Sequence, residues 1–367
     1  MKGALWVCER DIRKFVKQPF VMMSALLAPF LMLVLLGNAF GGEITDVPVA
    51  VVRDSQGSYS TAFLETVATG ETVRLIDVPD LDFAQLLLQQ GRVKAIIYIP
   101  GGFDSHLRKE NQAFVTLYLD NTDPLSASTV SSFFQITAQQ LSNRVCLTGV
   151  RDPNLILDVA SFYRKVEYIE FMAPGSVIQA VFIASIIGGG VSILFDKQRG
   201  VIEGYLVTPL RQYEIIIGVL LAGVIKAMFS SLTMLFLAIL VAGVRPMTDA
   251  TGFLLMLITI FLTSLGLISM MTAFAVRAPA PEVYQFTSFP INLVLYFTSG
   301  AIYPIEGFPE WMQEITVVNP EAYAVHALRL LMYKGASFSA VVEDFLFLAV
   351  FTVVMVGIAT MVFKRVL

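Results

Sequence analysis

The sequence predicts a polytopic α-helical membrane protein of six transmembrane helices, with an α/β extracytoplasmic domain inserted after the first. Three observations predict it. Of the 367 residues, 56% are hydrophobic and 15% charged, at a mean hydropathy of +0.72; a soluble domain holds roughly 45–50% apolar and about 25% charged residues. Apolar stretches at 21–40, 172–195, 213–244, 251–276, 286–303 and 345–363 approach the about 20 residues that a helix needs to cross the hydrocarbon core. The interval 41–170 changes character, with frequent charges and short strand-like runs alternating with helical ones.

The same composition excludes an ordinary soluble enzyme, a disordered chain and a collagen-like chain. A net charge of −4 without a basic run leaves no electrostatic footprint for nucleic acid. The cysteines, Cys8 and Cys146, and the histidines, His106 and His326, show no metal-ligand spacing, so no metal site is expected.

In chain order, residues 1–20 read as a cytoplasmic amphipathic elbow helix. Leu5, Cys8, Ile12, Phe15 and Val16 recur at three-to-four spacing, while Glu9, Arg13 and Lys17 take the other face. Such a helix lies in the membrane interface; it serves either as a charged flank that sets topology or as an elbow that also touches a cytoplasmic partner. The first span, 21–40, exceeds the about 7–15 apolar residues of a cleaved signal peptide and reads as a retained anchor. Lys2, Arg10, Arg13, Lys14 and Lys17 precede it. Lys197, Arg199 and Arg211 follow the second span, Arg277 the fourth, and Lys364 and Arg365 the last. Basic residues mark the cytoplasmic side, so both termini are expected there. Asp249, Glu306, Glu310, Glu314 and Glu321 fall on the opposite side, and Cys8 and Cys146 on different sides.

Within 41–170, strands are expected at 47–52, 73–78, 93–99 and 114–119, and helices at 60–69, 82–90 and 125–147. Asp82 is expected to cap the second of these helices and Gly91 to close it. This alternation argues a small α/β domain with a partly parallel sheet. Pro100-Gly101-Gly102 is a turn, lacking the lysine and hydroxyl of a phosphate loop. His106 is read as a surface position, and Asp120 and Asp123 as turn residues in preference to a metal site.

The remaining signals lie in 171–367. Between the second and third spans, Asp196, Arg199 and Glu203 are three and four residues apart and would share one face of a short helix, before Thr208-Pro209 restarts the chain. After the fifth span, Pro304, Pro309 and Pro320 break an apolar segment into pieces too short to cross the membrane, which suits re-entrant packing. Ser185, Gly188, Gly189 and Gly190 would let helices approach closely. Lys226 is the only ionisable side chain well within a span. It is either a functional charge, since such a group is costly there, or a long stem reaching to the interface.

These strings resemble the permease subunits of type-2 ABC exporters, in the branch with a large extracytoplasmic α/β insert after the first span. The resemblance rests on an acidic residue, Arg-Gly, Glu and a closing Thr-Pro-Leu, matched by Asp196, Arg199, Gly200, Glu203, Thr208, Pro209 and Leu210. Val201 and Gly204 depart from the pattern. It rests also on the hairpin string with Pro304, Pro309, Trp311, Pro320, Tyr323 and Leu328-Arg329, and on Ile99-Pro100-Gly101-Gly102-Phe103 and Leu119-Asp120-Asn121 in the insert.

What the resemblance implies is a permease that forms a substrate path as a dimer, with itself or a related chain, in the plasma membrane of a prokaryote. A separate ATPase subunit would bind ATP and Mg and receive the coupling segment 195–212 in a groove. The hairpin 304–338 would re-enter the outer leaflet near the exit, with Arg329 binding it. No catalytic residue and no cofactor is expected on this chain itself, and membrane lipid is a partner. The competing class is a membrane-anchored extracytoplasmic binding or secretion-assembly module without transport activity. An ion-coupled carrier would show several intramembrane charges, and the spans hold only Lys226.

Overall fold

A computed structural model describes residues 2–17, 26–33, 46–70, 72–109, 112–147, 154–201, 204 and 210–364. The chain divides into two compact units, Met1–Ala39 with Met172–Tyr303 and Trp311–Leu367, and Phe40–Phe171 with Pro304–Glu310.

The second unit is built on a five-stranded sheet in the order β2-β1-β3-β4-β5. Its strands are β1 (Val47–Arg53), β2 (Val73–Asp77), β3 (Ala95–Ile99), β4 (Gln112–Leu119) and β5 (Asn154–Ser161). The pairings are parallel except β3 with β4, which is antiparallel. The inner strands β1 and β3 are nearly continuous apolar runs, as strands covered on both faces must be. On one face Ala50, Val52 and Ile96 pack with Ala84 and Leu88, which come from α4 (Leu81–Gln89). Elsewhere in the unit Phe63 of α3 (Ser58–Ala68) meets Phe103 of α5 (Phe103–Lys109) and Phe134 of α6 (Pro124–Leu147) at 6.5 and 6.3 Å.

Two expectations shift here. The cap of α4 is Asp80, which accepts from the Phe83 N–H at 2.7 Å, not Asp82 inside the first turn. Strand β5 was not anticipated: it flanks β4 at the edge of the sheet and is half-exposed, so its polar positions masked the alternation. Asp120 and Asp123 are both buried in turn and cap roles: Asp120 accepts from the Thr122 N–H and hydroxyl, and Asp123 from Ser126 and, at 3.4 Å, from Lys94. His106 is exposed on α5. Asp104 is partly buried, which favours its neutral form, yet the Ser55 hydroxyl and the Tyr59 N–H donate to it and hold its carboxyl below the ordinary range.

In the first unit, α1 (Lys2–Val16) precedes the helical residues 26–33 (α2). Then come α8 (Ala173–Ser185), a π-helical segment Ile186–Val191 and α9 (Ser192–Gln198), which continue one another. There follow α10 (Gln212–Val241), α11 (Ala250–Arg277), α12 (Pro281–Phe297), α13 (Glu310–Val318), α14 (Pro320–Arg329) and α15 (Phe338–Lys364). The short α7 (Tyr168–Phe171) belongs to the second unit. Among the described residues four helices are long and apolar enough to cross a membrane: Tyr168–Gln198, Tyr213–Val241, Ala250–Arg277 and Phe338–Phe363. Helix α12 is shorter than these and sits earlier than the apolar stretch at 286–303 suggested. Pro281 occupies its first turn, Pro290 lies inside it, and the chain turns at Gly300, where φ is +74°.

Helix α11 lies against α8, α10 and α15. Its Thr259, Thr263 and Ser269 hydroxyls donate to carbonyls of their own helix, which satisfies these three groups without water in an apolar interior. The π segment leaves carbonyls available off the helix axis. Tyr284 of α12 donates to the Ile186 carbonyl at 3.2 Å, and Thr272 of α11 to that of Gly189 at 3.3 Å. The glycines of this segment serve close packing: Gly188 stands against Gly223 and Lys226, Gly189 against Ile268, and Gly190 against the Tyr284 ring.

Gly175 makes a comparable approach to Ala301, where an added methyl would meet the Ala301 Cβ and lie 2.9 Å from its Cα. Gly175→Ala is therefore expected to lose about 1–3 kcal/mol of stability, since backbone cannot yield as a side chain does. Gly357→Ala, which enters open space, should lose nothing. Thermal unfolding in detergent measures both, and an equal response would refute the close approach.

Candidate functional site

The site grows from the elbow helix. Ala4, Val7, Cys8, Asp11 and Phe15 are buried, a three-to-four recurrence that faces α10. A Cβ on Gly218 of α10 would stand 2.6 Å from the Ala4 carbonyl oxygen, so the two helices touch along their backbones. This corrects the expected apolar face. Cys8 and Phe15 belong to it, Ile12 is only half-buried, and Leu5 and Val16 are exposed at 61% and 66%. The face turned inward is the one that carries a carboxylate.

That carboxylate meets Lys226. Lys226 Nζ lies 3.3 Å from Asp11 Oδ2, with side chains only 5% and 1% exposed. The lysine therefore does not extend to solvent; it points at a counter-ion on the elbow. Its ammonium also stands 5.8 Å from the centre of the Phe15 ring. Ser192 of α9 donates to the same Asp11 oxygen at 3.2 Å, and Arg10 donates to the other at 3.0 Å. Burial alone would raise the Asp11 carboxyl, but Lys226 and Arg10 beside it hold it below the ordinary carboxylate range.

A second carboxylate extends the network. Asp196 of α9 is buried and accepts from Arg10 and, at 3.1 Å, from Lys14. Arg10 thus bridges Asp11 and Asp196, and α1, α9 and α10 are tied by one set of charges. The spacing of Asp196, Arg199 and Glu203 suggested a shared helical face, and the structure differs. Helix α9 stops at Gln198, Arg199 is its cap, and Gly200 adopts φ of +69°, which ends the helix. Asp196 turns inward, whereas Arg199 is exposed with its guanidinium 5.7 Å from the Phe195 ring centre. Glu203, Thr208 and Pro209 lie outside the described residues.

The hairpin residues fall into two groups. Pro304 and Pro309 flank a 3-10 turn, Ile305–Gly307, in the α/β unit, where Glu306 lies 3.5 Å from Lys94. The rest cluster at the end of α12. The Asn319 amide donates to the Leu295 carbonyl at 2.7 Å and to the Thr298 hydroxyl at 2.9 Å. Thr316 donates to the Thr298 carbonyl at 2.8 Å, and Arg329 to that of Gly300 at 2.9 Å. Pro320 opens α14, and Tyr323 stacks on Phe347 at 3.8 Å while donating to the Val317 carbonyl. Trp311 is 64% exposed.

Residues 19–361 match the family described as ABC-2 family transporter protein. The chain belongs to that family. Among its relatives is the probable multidrug ABC transporter permease YbhR of Escherichia coli (strain K12), 21% identical over 98% of both chains. Another is the probable multidrug ABC transporter permease YbhS of the same strain, 22% identical over 98% of this chain and 96% of the relative. The daunorubicin resistance ABC transporter permease protein DrrB1 of Streptomyces coeruleorubidus is 30% identical over 47% of this chain and 60% of its own. The chain is a transmembrane permease subunit of an ABC exporter, a multi-pass membrane protein.

Within this permease, two acidic residues that count in the sequence as ordinary surface charges are buried: Asp11, and Glu321 among the acidic residues of the outer side. Asp11 sits among basic residues and looks like one more solvated charge; only Lys226, more than two hundred positions away, makes it an interior group. Glu321 is fully buried beside the N-cap Asn319, and neither carboxylate oxygen meets a donor among the described residues.

Removing one partner of a buried ion pair strands the other, at a cost of about 3–5 kcal/mol, whereas replacing both by apolar groups is often close to neutral. Lys226→Met alone is expected to lose most of its folded yield. Asp11→Leu together with Lys226→Met should recover a large part of it. A double-mutant cycle on thermal stability reads the coupling; simple additivity of the two losses would show that the pair does not act as a unit.

Proposed function

We propose that this permease is half of an ATP-driven exporter, working with a second permease chain, identical or related, and with a separate ATPase subunit that binds ATP and Mg. The observation that carries the mechanism is the buried charge network around Asp11, Lys226 and Asp196. The ATPase would engage the segment 195–212. A push there reaches α9, and through Asp196 it reaches Arg10 and Lys14 of α1. Ser192 and Lys226, joined on Asp11, carry it to α10. The three helices respond together, because separating them would strand buried charges.

On this reading the spans number six: α2 lies within the first, α12 forms the fifth, and the four long helices are the others. Both termini are cytoplasmic, following the basic residues. The α/β unit is extracytoplasmic, α13 and α14 re-enter the outer leaflet, and two facing permease chains line the path. That relatives are named multidrug and daunorubicin resistance permeases supports organic molecules as cargo, and their bacterial sources support the plasma membrane of a prokaryote as the location.

Two experiments test this. Arg199→Ala with Glu203→Ala should leave the permease inserted and bound to its ATPase while substrate-stimulated hydrolysis falls about tenfold, equivalent to roughly 1.4 kcal/mol. Full stimulation in that variant would remove the segment from coupling. A Ser105→Cys reporter on the exposed side of α5 should react with a membrane-impermeant maleimide in intact cells. Reaction only after permeabilisation would place the α/β unit inside.

A further inference from the structure

The membrane unit holds a cavity of about 710 Å³ lined by residues of α2, α8, the π segment and α12. Sites for drug-sized organic molecules span roughly 300–1,000 Å³. The chemistry of the wall changes along α12. Glu282 stands in the first turn, the Phe286 and Phe289 rings come next, and Asn292 lies beyond them. Both rings are exposed, Phe286 at 82%. At the far end two amides trade hydrogen bonds: Gln179 Nε2 donates to Asn292 Oδ1 at 3.0 Å, and Asn292 Nδ2 to Gln179 Oε1 at 3.2 Å.

Among the described residues Glu282 is the only ionisable side chain of the lining, and they contribute no lysine, arginine or histidine to it. A carboxylate next to open aromatic rings is the chemistry that recognises an organic cation. The ring faces attract positive charge, and the carboxylate adds its own. An anion of the same shape would meet repulsion from both, which makes the site selective as well as attractive. The low polarity of the rest of the wall calls for an apolar body on that cation.

We infer that this cavity is a substrate subsite for amphiphilic organic cations. Glu282, Phe286 and Phe289 hold the charged end, and the Gln179–Asn292 pair bounds the other. The inference rests on the exporter reading for the word substrate; the binding itself does not depend on it.

The test uses the full permease purified with its ATPase in detergent micelles. Tetraphenylphosphonium is the probe, and tetraphenylborate, similar in shape and opposite in charge, is the control titrated in a separate sample. Tetraphenylphosphonium should bind saturably and tetraphenylborate should not. Glu282→Gln and Phe286→Ala should each weaken binding about tenfold, while Glu282→Asp keeps the preference for the cation and shows that the helix still folds. Equal binding of the two ions, or unchanged affinity in Glu282→Gln, would overturn the inference. So would complete cross-linking between chains through Phe289→Cys with no probe bound, which would assign the cavity to a second copy. If other compounds stimulate ATP hydrolysis while tetraphenylphosphonium does not bind, the exporter reading stands and this inference fails. If tetraphenylphosphonium binds as stated but neither it nor any other compound stimulates ATP hydrolysis, the cation site stands and the ATPase-coupled reading fails.

Discussion

A lysine ammonium held among apolar helices must find a carboxylate, and here the carboxylate arrives from outside the bundle. Lys226 and Asp11 meet at 3.3 Å, both buried, and their charges are tolerable only together. This one constraint fixes a good deal else. It decides which face of α1 turns inward, and so leaves Leu5 and Val16 outside. It sets how far α1 sits along α10, because the pair and the contact of Gly218 with Ala4 must be satisfied at once. It brings Arg10 and Lys14 to Asp196, and with them the end of α9. An apolar contact would hold α1 with as much energy but less definition, since apolar surfaces slide and a charge pair does not.

The second organising constraint is the accounting of backbone polar groups where water is absent. The π segment Ile186–Val191 would be a weak point in a lone helix, with carbonyls displaced from their usual donors. Tyr284 and Thr272 supply donors from neighbouring helices, so the irregular turn becomes a junction. The end of α12 follows the same rule. Its last carbonyls, from Leu295, Thr298 and Gly300, are capped by Asn319, Thr316 and Arg329. The Arg329 side chain is thus a backbone cap, and the segment that carries it is held to the helix it follows.

Much of this was written plainly in the sequence, where a single segment decides its own structure. The apolar runs of β1 and β3 are legible because strands covered on both faces need no partner's pattern to explain them. The long helices α10, α11 and α15 are legible by length and hydropathy alone. What stayed hidden depends on distant residues. Edge strand β5 mixes apolar and polar positions, and among the described strands it pairs with β4 alone. The elbow's inward face is set by a lysine in another helix: Cys8 and Phe15 of the expected apolar face turn inward with Asp11, whereas Leu5 and Val16 of that face stay outside. A shared face for Asp196, Arg199 and Glu203 needs a helix that continues past Arg199, and the left-handed Gly200 ends α9 there. Lys226 was visible as costly, but its cost alone does not name Asp11.

These constraints converge on one span. Its upper part, α8 and the start of the π segment, gives Gln179 and Ile186 to the cavity. Its lower part, α9, gives Ser192 and Asp196 to the charge network. Between them lies the segment whose carbonyls are held by other helices. A ligand that prefers one setting of this span must, by linkage, shift whatever engages its lower end by the same free energy, and the reverse holds equally. Coupling then needs no separate relay. A single helix carries both sites, and the stiffness to transmit comes from the groups that cannot be left unpaired: the amides above, the carbonyls in the middle and the charges below.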